Sequence, residues 1–378
     1  MITALILLSA CSDKAATPAR PEPSFFYVEM TEGETGSADS PLPFSSATQS
    51  RSFRVTALDR EGAPYSVDAD ITLDVRPGKL DQRPWVRMEG GVWEGAVNFK
   101  NGYGPTRVWF SDLGDLDVES PRTPGFATGV SEPIQFALPT IGEMNETDDH
   151  ETDQLDREFA DIRSVDRDIR VSAVGTNGFW VADLADEPSS FNYLFVYTFQ
   201  RPDDAIEVGR RLSLLTGATQ EYLATTQISF PTYDVSDEEI VTMPDPISLT
   251  RDQCGQDLIL ERLENGLVRL EGGVVPTSFT PGSEEYDDYL QYGQWPIRLD
   301  AGDSCSFYAN TGLASPDFTP VAGQSIPVIS GLLSEIWGMW IITPRDGSDL
   351  DLGAAGPPAP ATSTTLARPV ARPRPSHP

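Results

Sequence analysis

The sequence predicts an all-β protein, in which a β-sandwich is followed by two duplicated small β-barrels and the chain is disordered at both ends. Two observations predict this class. Short runs of β-branched and aromatic residues alternate with turns rich in Gly, Pro, Asn and Asp. The second half of the chain also repeats itself at a constant separation of 114 residues. A chain of 378 residues, 39% of them hydrophobic, is large enough to bury several cores.

The first eleven residues predict a secretion signal. The apolar run 2–8 is too short to span a bilayer, which takes about 20 residues, and small residues precede Cys11. The sequence Leu8-Ser9-Ala10-Cys11 resembles the lipobox of bacterial lipoproteins. No Lys or Arg precedes the run, so translation is expected to start a few codons earlier.

The lipobox resemblance implies that residues 1–10 are removed, that Cys11 carries diacylglycerol on its sulfur, and that its new amino group is acylated, for example with palmitate. The Pro-rich residues 11–24 then form a flexible tether. Several acyl chains on one residue anchor a protein stably, so the expected location is the membrane of the cell envelope, facing the periplasm or the exterior. The alternative is an ordinary N-terminal strand with a buried cysteine.

Residues 25–138 are predicted to form an antiparallel β-sandwich. The strands are expected at 25–28, 53–58, 71–75, 92–99 and 107–110, with a last strand within 125–136. The order of these runs resembles bacterial immunoglobulin-like domains of surface lipoproteins. Unlike antibody domains, this segment has no cysteine pair, so a hydrophobic core alone has to hold the two sheets together.

Residues 139–165 are dominated by Asp, Glu and Arg, and they are predicted to be an acidic linker; the alternative is a short helix near 155–162. The carboxylates of this segment are interpreted as a solvated charge run. They lack the fixed spacing of a helix-loop-helix calcium loop, although calcium binding stays open.

The duplication predicts two barrels, at residues 166–248 and 249–352. Gly209 and Gly323, Gly217 and Gly331, and Glu221 and Glu335 are all 114 residues apart. Gly217 and Gly331 are expected where a strongly coiled strand bends or bulges.

The runs 177–183 and 194–198 in the first copy, and 264–271 and 340–349 in the second, resemble OB-fold domains of bacterial extracellular proteins. Some of those domains accompany secreted nucleases. The remaining residues, 353–378, are rich in Pro, Ala and Arg and are predicted to be a disordered tail. That tail is either inert or bound to envelope polyanions.

A formal net charge of −31 argues against nucleic-acid partners, whose binding relies on Lys and Arg, and against anionic lipid surfaces. With Cys11 assigned to lipid, Cys254 and Cys305 are expected to form a disulfide in an oxidising compartment, the alternative being two free thiols. The two histidines, His150 and His377, fall in the linker and the tail, so neither a catalytic triad nor a zinc site is predicted.

The sequence therefore predicts a non-enzymatic envelope lipoprotein with a binding or structural role and no cofactor. Its partners would be the membrane, through the acyl chains, and an envelope glycan or protein. The first alternative is a carbohydrate-binding surface protein whose exposed rings form a stacking platform. The candidate platform residues are Trp180, Tyr197, Trp295 and Trp337. A metal-dependent hydrolase that uses carboxylates is the remaining alternative.

Overall fold

The computed structural model describes residues 23–115, 125–147, 155, 159–163, 167–299, 305–314 and 317–352. Over these residues the chain is all-β, as predicted, and its helices are short. The predicted signal at 1–10, most of the tether at 11–24 and the tail at 353–378 lie outside the described residues, and so do Cys11 and both histidines.

The chain divides into two compact units. The first unit contains the residues up to 36, together with 48–100 and 105–134, and the second contains 37–47, 101–104 and the rest of the chain from 135. The predicted sandwich of 25–138 therefore includes two short internal segments, 37–47 and 101–104, and an end, 135–138, that the structure groups with the second unit. The sequence did not reveal the two internal segments because neither carries a strand pattern of its own.

The first unit contains two antiparallel sheets. Its strands are β1 (Pro23–Glu32), β2 (Gln49–Asp59), β3 (Ala69–Arg76), β4 (Lys79–Leu80), β5 (Trp85–Met88), β6 (Val92–Lys100), β7 (Gly104–Gly114) and β8 (Gly129–Val130). One sheet has the order β1-β2-β6-β4, and the other runs β5-β3-β7-β8.

The two sheets of the first unit pack face to face. Alternation along β2 buries Phe53, Val55 and Ala57 on one side of its sheet. The ring of Phe53 meets Phe110 of the opposite sheet edge to face, with 5.7 Å between ring centroids. This hydrophobic layer makes the unit the predicted β-sandwich.

The second unit contains the other strands and all three α-helices of the described residues. In chain order its elements are β9 (Ile134–Phe136, which begins in the first unit), α1 (Ile141–Asn145), β10 (Phe159–Arg163), β11 (Ile169–Val174), β12 (Gly178–Asp183), β13 (Tyr193–Tyr197), β14 (Leu212–Glu221), β15 (Thr226–Val235), β16 (Ile247–Ser248), α2 (Asp257–Glu261), β17 (Leu267–Val274), α3 (Glu284–Tyr292), β18 (Gln294–Arg298), β19 (Ser306–Asn310), β20 (Ser325–Ile336), β21 (Met339–Thr343) and β22 (Leu350–Asp351). Single 3₁₀ turns lie at Arg251–Gln253 and Gly347–Asp349.

The strands β11 to β15 curl into the first barrel. Their pairing order is β11-β12-β13-β15-β14, with β13 and β15 parallel and the other pairs antiparallel. The barrel closes because Val171 N donates to Arg210 O at 2.9 Å and Gly209 N donates to Val171 O at 2.8 Å, just before β14 begins. The strand β10 pairs with β14 on its other side.

The strands β17 to β21 form the second barrel with the same order, β17-β18-β19-β21-β20, which closes through the pairing of β20 with β17. Here too the third and fifth strands, β19 and β21, are parallel. Two barrels of identical topology agree with the 114-residue repeat. Gly217 lies at a register shift of β14, where an added Cβ would come within 2.8 Å of Ser229 O, so a bulge requires glycine there.

The segment predicted as an acidic linker, 139–165, instead contributes to the first barrel. The helix α1 begins with a capping box between Thr140 and Glu143, and it buries Ile141 and Met144 in the barrel core. Leu155 is buried in the same core. The described apolar residues Ile141, Met144 and Leu155 of this segment thus belong to the barrel core.

Candidate ligand groove

A groove with a volume of about 590 Å³ lies between the two barrels of the second unit. The first barrel contributes the outer face of β12 and β13 and the hairpin that joins β14 to β15. The second barrel contributes the end of α3, the start of β18 and the hairpin that joins β20 to β21. Two copies of one fold thus present different surfaces to the same space.

A row of aromatic rings from the first barrel lines part of the groove. The ring centroids of Trp180 and Phe195 are 4.6 Å apart, those of Phe195 and Tyr197 6.2 Å, and those of Tyr197 and Phe199 4.4 Å. Phe230 continues the row at 4.9 Å from Phe199. The row presents a continuous apolar surface, which we call the aromatic row.

Strand alternation builds this row. On β13, Leu194 and Val196 are fully buried in the barrel core, so Phe195 and Tyr197 point to the outside. Trp180 lies directly opposite Phe195 on the neighbouring strand, which places the two rings on the same face.

The remaining lining of the groove, which comes from both barrels and which we call the amide wall, is largely polar. The groove is lined by six amide side chains, namely Asn177, Gln220, Gln227, Asn265, Gln294 and Asn310. Three buried polar atoms of the wall, Asn265 Oδ1, Gln294 Oε1 and Tyr292 OH, have no hydrogen-bond partner among the described residues. Such atoms are costly unless something satisfies them, so they mark positions where a ligand hydroxyl or amide would be stabilised.

The groove is electrically neutral, unlike the rest of the molecule. None of the described residues that line it is Asp, Glu, Lys, Arg or His. The chain as a whole has 22% charged residues and a net charge of −31. A groove lined without charged side chains therefore favours a ligand, or a part of a ligand, that carries no charge.

Both hairpins at the groove contain residues with left-handed backbone. In the first barrel, Leu223 and Ala224 have φ of 58° and 63°, and in the second, Trp337 and Gly338 have φ of 54° and 77°. A non-glycine residue in this region costs on the order of 1 kcal/mol, and such strain is concentrated at functional sites. Leu223 and Trp337, which both line the groove, are held in this conformation.

A buried carboxylate links the two barrels beside the groove. Glu264 Oε2 accepts a hydrogen bond from Thr226 N of the first barrel at 2.9 Å, and Glu264 Oε1 accepts one from Glu335 N of the second at 3.4 Å. Burial, followed by the charges of Glu261 and Glu221, raises the pKa of Glu264 well above its usual value. This contact between the barrels, which we call the Glu264 joint, therefore depends on whether the carboxyl of Glu264 is protonated.

Three of the four predicted platform residues, Trp180, Tyr197 and Trp337, come together in the groove. Trp295 does not, and the structure corrects this prediction for it. Its side chain is fully buried in the core of the second barrel, where Trp295 Nε1 donates to Thr311 Oγ1 at 3.4 Å. A ring with no exposed face cannot stack on a ligand.

Sequence reasoning missed Phe195, Phe199, Phe230 and the amide wall. The alternation of Phe195, Tyr197 and Phe199 with buried residues could have identified the aromatic row. The amide wall left no such signal, because its members come from distant parts of the chain and meet only after both barrels have folded.

Cys254 and Cys305 form the predicted disulfide, with 6.1 Å between their Cα atoms. Within the described residues, no three Asp, Glu, His or Cys side chains are grouped so that they could hold a metal ion. Among the helices of the same residues, none has the length and apolar character needed to cross a membrane.

No protein-family model matches the sequence, and no curated protein matches it. Among solved structures, the chain is similar to the adhesin InvE of Yersinia pseudotuberculosis, with 9% sequence identity and a TM-score of 0.19. The match covers 44% of this chain and 37% of the adhesin.

Proposed function

We propose that this protein is a non-enzymatic lipoprotein of the bacterial cell envelope whose groove binds a neutral glycan. One observation carries the proposal: in a strongly acidic chain, a row of aromatic rings and a set of amide and hydroxyl side chains line the same groove, without a charged lining residue among those described. The groove and the proposed lipid anchor at Cys11 together support a binding or structural role at the cell surface.

The two kinds of lining, aromatic and polar, correspond to the two kinds of surface of a sugar ring. The C–H face of a pyranose is apolar and packs against aromatic rings such as Trp180 and Tyr197. The rim of the sugar carries hydroxyls, which donate to acceptors such as Asn265 Oδ1 and Gln294 Oε1. Binding would therefore satisfy polar atoms that are otherwise buried without a partner.

The topology supports the same ligand class. We assign both barrels to the OB fold, a five-stranded barrel, and the sandwich to an immunoglobulin-like domain. In OB folds, the face of the second and third strands and the loops beside it take oligonucleotides or oligosaccharides. In the first barrel those strands are β12 and β13, which carry the aromatic row.

The charge of the protein favours an oligosaccharide over an oligonucleotide as the ligand. Single-stranded nucleic acids also stack on aromatic rings, but their affinity comes from Lys and Arg that neutralise phosphates. The groove offers no such side chain among its described lining residues, and the net charge of −31 repels a polyanion. A neutral glycan needs no Lys or Arg for binding and is not repelled by the negative charge. A protein partner remains the alternative if no glycan binds.

The proposed anchor is Cys11, with its acyl chains in an envelope membrane. Because anionic lipid surfaces repel an acidic protein, the acyl chains would hold it there without help from surface charge. In the variant Cys11→Ala, we expect the protein to leave the membrane fraction for the periplasm or the medium. Continued fractionation of this variant with membranes would contradict the lipoprotein assignment.

Ligand titration monitored by tryptophan fluorescence tests the glycan proposal, because Trp180 and Trp337 both line the groove. Residues 23–352 would be titrated with cellotetraose, maltotetraose, xylotetraose, mannotetraose and the tetramer of N-acetylglucosamine. We expect at least one sugar to bind, and Trp337→Ala to weaken that binding by about tenfold, since stacking on one ring is worth roughly 1–1.5 kcal/mol.

Trp85→Ala is the matched control. Trp85 belongs to the first unit and is 40% exposed, close to the 38% of Trp337, so both substitutions remove a half-exposed indole. The control should bind as the wild type does. Absence of a response to all five sugars, or equal losses in both variants, would refute glycan binding in the groove.

A further inference from the structure

A second cavity, of about 330 Å³, lies on the second barrel. It is lined by Glu284, Glu285, Asp288, Gln294, Tyr308 and Met339, and we call it the acidic cavity. Apart from Gln294, which also lines the groove, none of these residues takes part in the proposed binding of a neutral glycan.

The acidic cavity has a strongly negative potential. Three carboxylates, Glu284, Glu285 and Asp288, come from the first half of α3, and the guanidinium of Arg298 lies near them, with Nη2 3.5 Å from Glu285 Oε1. Burial and then the charges of Glu285, Asp288 and Glu284 raise the pKa of the Tyr308 hydroxyl, although Arg298 partly opposes them. A cation in this cavity would be attracted by several charges at once.

The residues favour an organic cation over a metal ion. Within the described part of the chain, no three carboxylates approach closely enough to coordinate a metal. An ammonium group is different, because it needs only a negative potential and separate acceptors for its N–H groups.

A side chain outside the acidic cluster points to the same ligand. Gln294 is only 7% exposed, and its Oε1 has no hydrogen-bond partner among the described residues. It lines both the groove and the acidic cavity. A buried acceptor at the boundary of the two spaces would be satisfied by an N–H donor of a ligand that occupies both.

Tyr308, which lines the acidic cavity, occupies the position in the second barrel that Phe195 occupies in the first. Tyr308 pairs with Ile341 in parallel, as Phe195 pairs with Gln227 in the first barrel, and Gln227 and Ile341 are 114 residues apart. The acidic cavity therefore lies on the face of the second barrel that corresponds to the aromatic row of the first.

We propose that the ligand carries a primary ammonium group beside its neutral rings, and that this ammonium binds in the acidic cavity among Glu284, Asp288 and Gln294 Oε1. The chemical class is a glycan that contains a free amino sugar. The inference rests on the proposed glycan binding, with the rings on the aromatic row and the amine in the acidic cavity.

Two tetramers that differ only at one position of each ring test the inference: cellotetraose, with a hydroxyl at C2, and the β-1,4 tetramer of glucosamine, with an amine there. Binding would be measured by calorimetry at mildly acidic pH and low salt. We expect the glucosamine tetramer to bind about tenfold more tightly, and Glu284→Gln/Asp288→Asn to abolish that preference while leaving cellotetraose binding unchanged.

The control is Asp237→Asn/Glu239→Gln, which removes two exposed carboxylates elsewhere on the second unit and should keep the preference. Trp337→Ala should weaken both tetramers. If both bind equally, or if both double variants lose the preference to the same extent, the amine does not occupy the acidic cavity, although glycan binding stands. If neither tetramer binds in a way that depends on Trp337, the proposed function itself is overturned.

Discussion

The two barrels have the same strand order and use corresponding surfaces in different ways. In the first barrel, Trp180, Phe195 and Tyr197 make the face of the second and third strands aromatic and neutral. In the second barrel, Tyr308 and Asn310 stand where Phe195 and Tyr197 do, and α3 brings carboxylates beside them. A duplicated scaffold has therefore kept its closed sheet while its outer faces carry different chemistry.

The closed sheet and the outer face of each barrel are subject to separate physical constraints. The sheet depends on buried alternating side chains and on glycine at tight positions, such as Gly217 and Gly331. The outer face contributes little to the core, so its side chains are free to differ. The helix α3 between β17 and β18 is one such difference, because a short turn joins the corresponding strands β11 and β12.

The disulfide gives the largest expected difference in stability between the barrels. It closes a loop with a sequence separation of 51 residues, and the loop-entropy relation gives about 4 kcal/mol for a loop of that length. We expect Cys254→Ser/Cys305→Ser to destabilise β17–β21 by roughly that amount and β11–β15 much less. Hydrogen exchange in increasing denaturant measures each barrel separately. Equal losses in both barrels would show that they unfold as a single unit.

The buried carboxyl of Glu264 should make the stability of the folded protein depend on pH. Its pKa in the folded protein is raised above the ordinary value of 4.5, so its contribution to stability is fully present below that value and is lost as the pH rises through the folded pKa. In Glu264→Gln, which resembles the protonated acid, this loss should disappear. The variant should have a higher Tm than the wild type at neutral pH and a similar Tm in acid.

Thermal unfolding from about pH 4 to about pH 8 measures this difference. Glu239→Gln, at an exposed carboxylate, is the control and should follow the wild type throughout. A Glu264→Gln curve parallel to that of the wild type would contradict a raised pKa at the joint.

The hairpins at the groove give the smallest expected effect. Ala224 of the first barrel corresponds to Gly338 of the second, and both have left-handed backbone. We expect Ala224→Gly to stabilise the protein by about 1 kcal/mol and Gly338→Ala to destabilise it by a similar amount, because only glycine adopts this conformation without strain. Urea denaturation measures both. Two changes of the same sign would show that the turns are not equivalent.

The sequence predicted the fold better than the site. Alternating apolar residues such as Phe53 and Val55 indicated the sandwich, because a strand with one buried face has a period of two. On β18, Trp295 and Ile297 share one side of the strand, so the same period would have placed Trp295 in the barrel interior, and its assignment to the ligand platform was wrong. The contribution of Ile141 and Met144 was hidden by the acidic residues around them.

Residue types and their spacing along the chain were enough to predict the all-β class, the internal repeat and the charge of the molecule. The pairing of Cys254 with Cys305 was predicted because these two cysteines remain once Cys11 is assigned to lipid, and the structure confirmed it. Only the tertiary structure decided that Trp180, Tyr197 and Trp337 share one groove, that Glu264 joins the barrels, and that the acidic cavity adjoins the groove at Gln294. The physical reason is that these arrangements depend on contacts between residues far apart in the chain, which neither composition nor periodicity encodes.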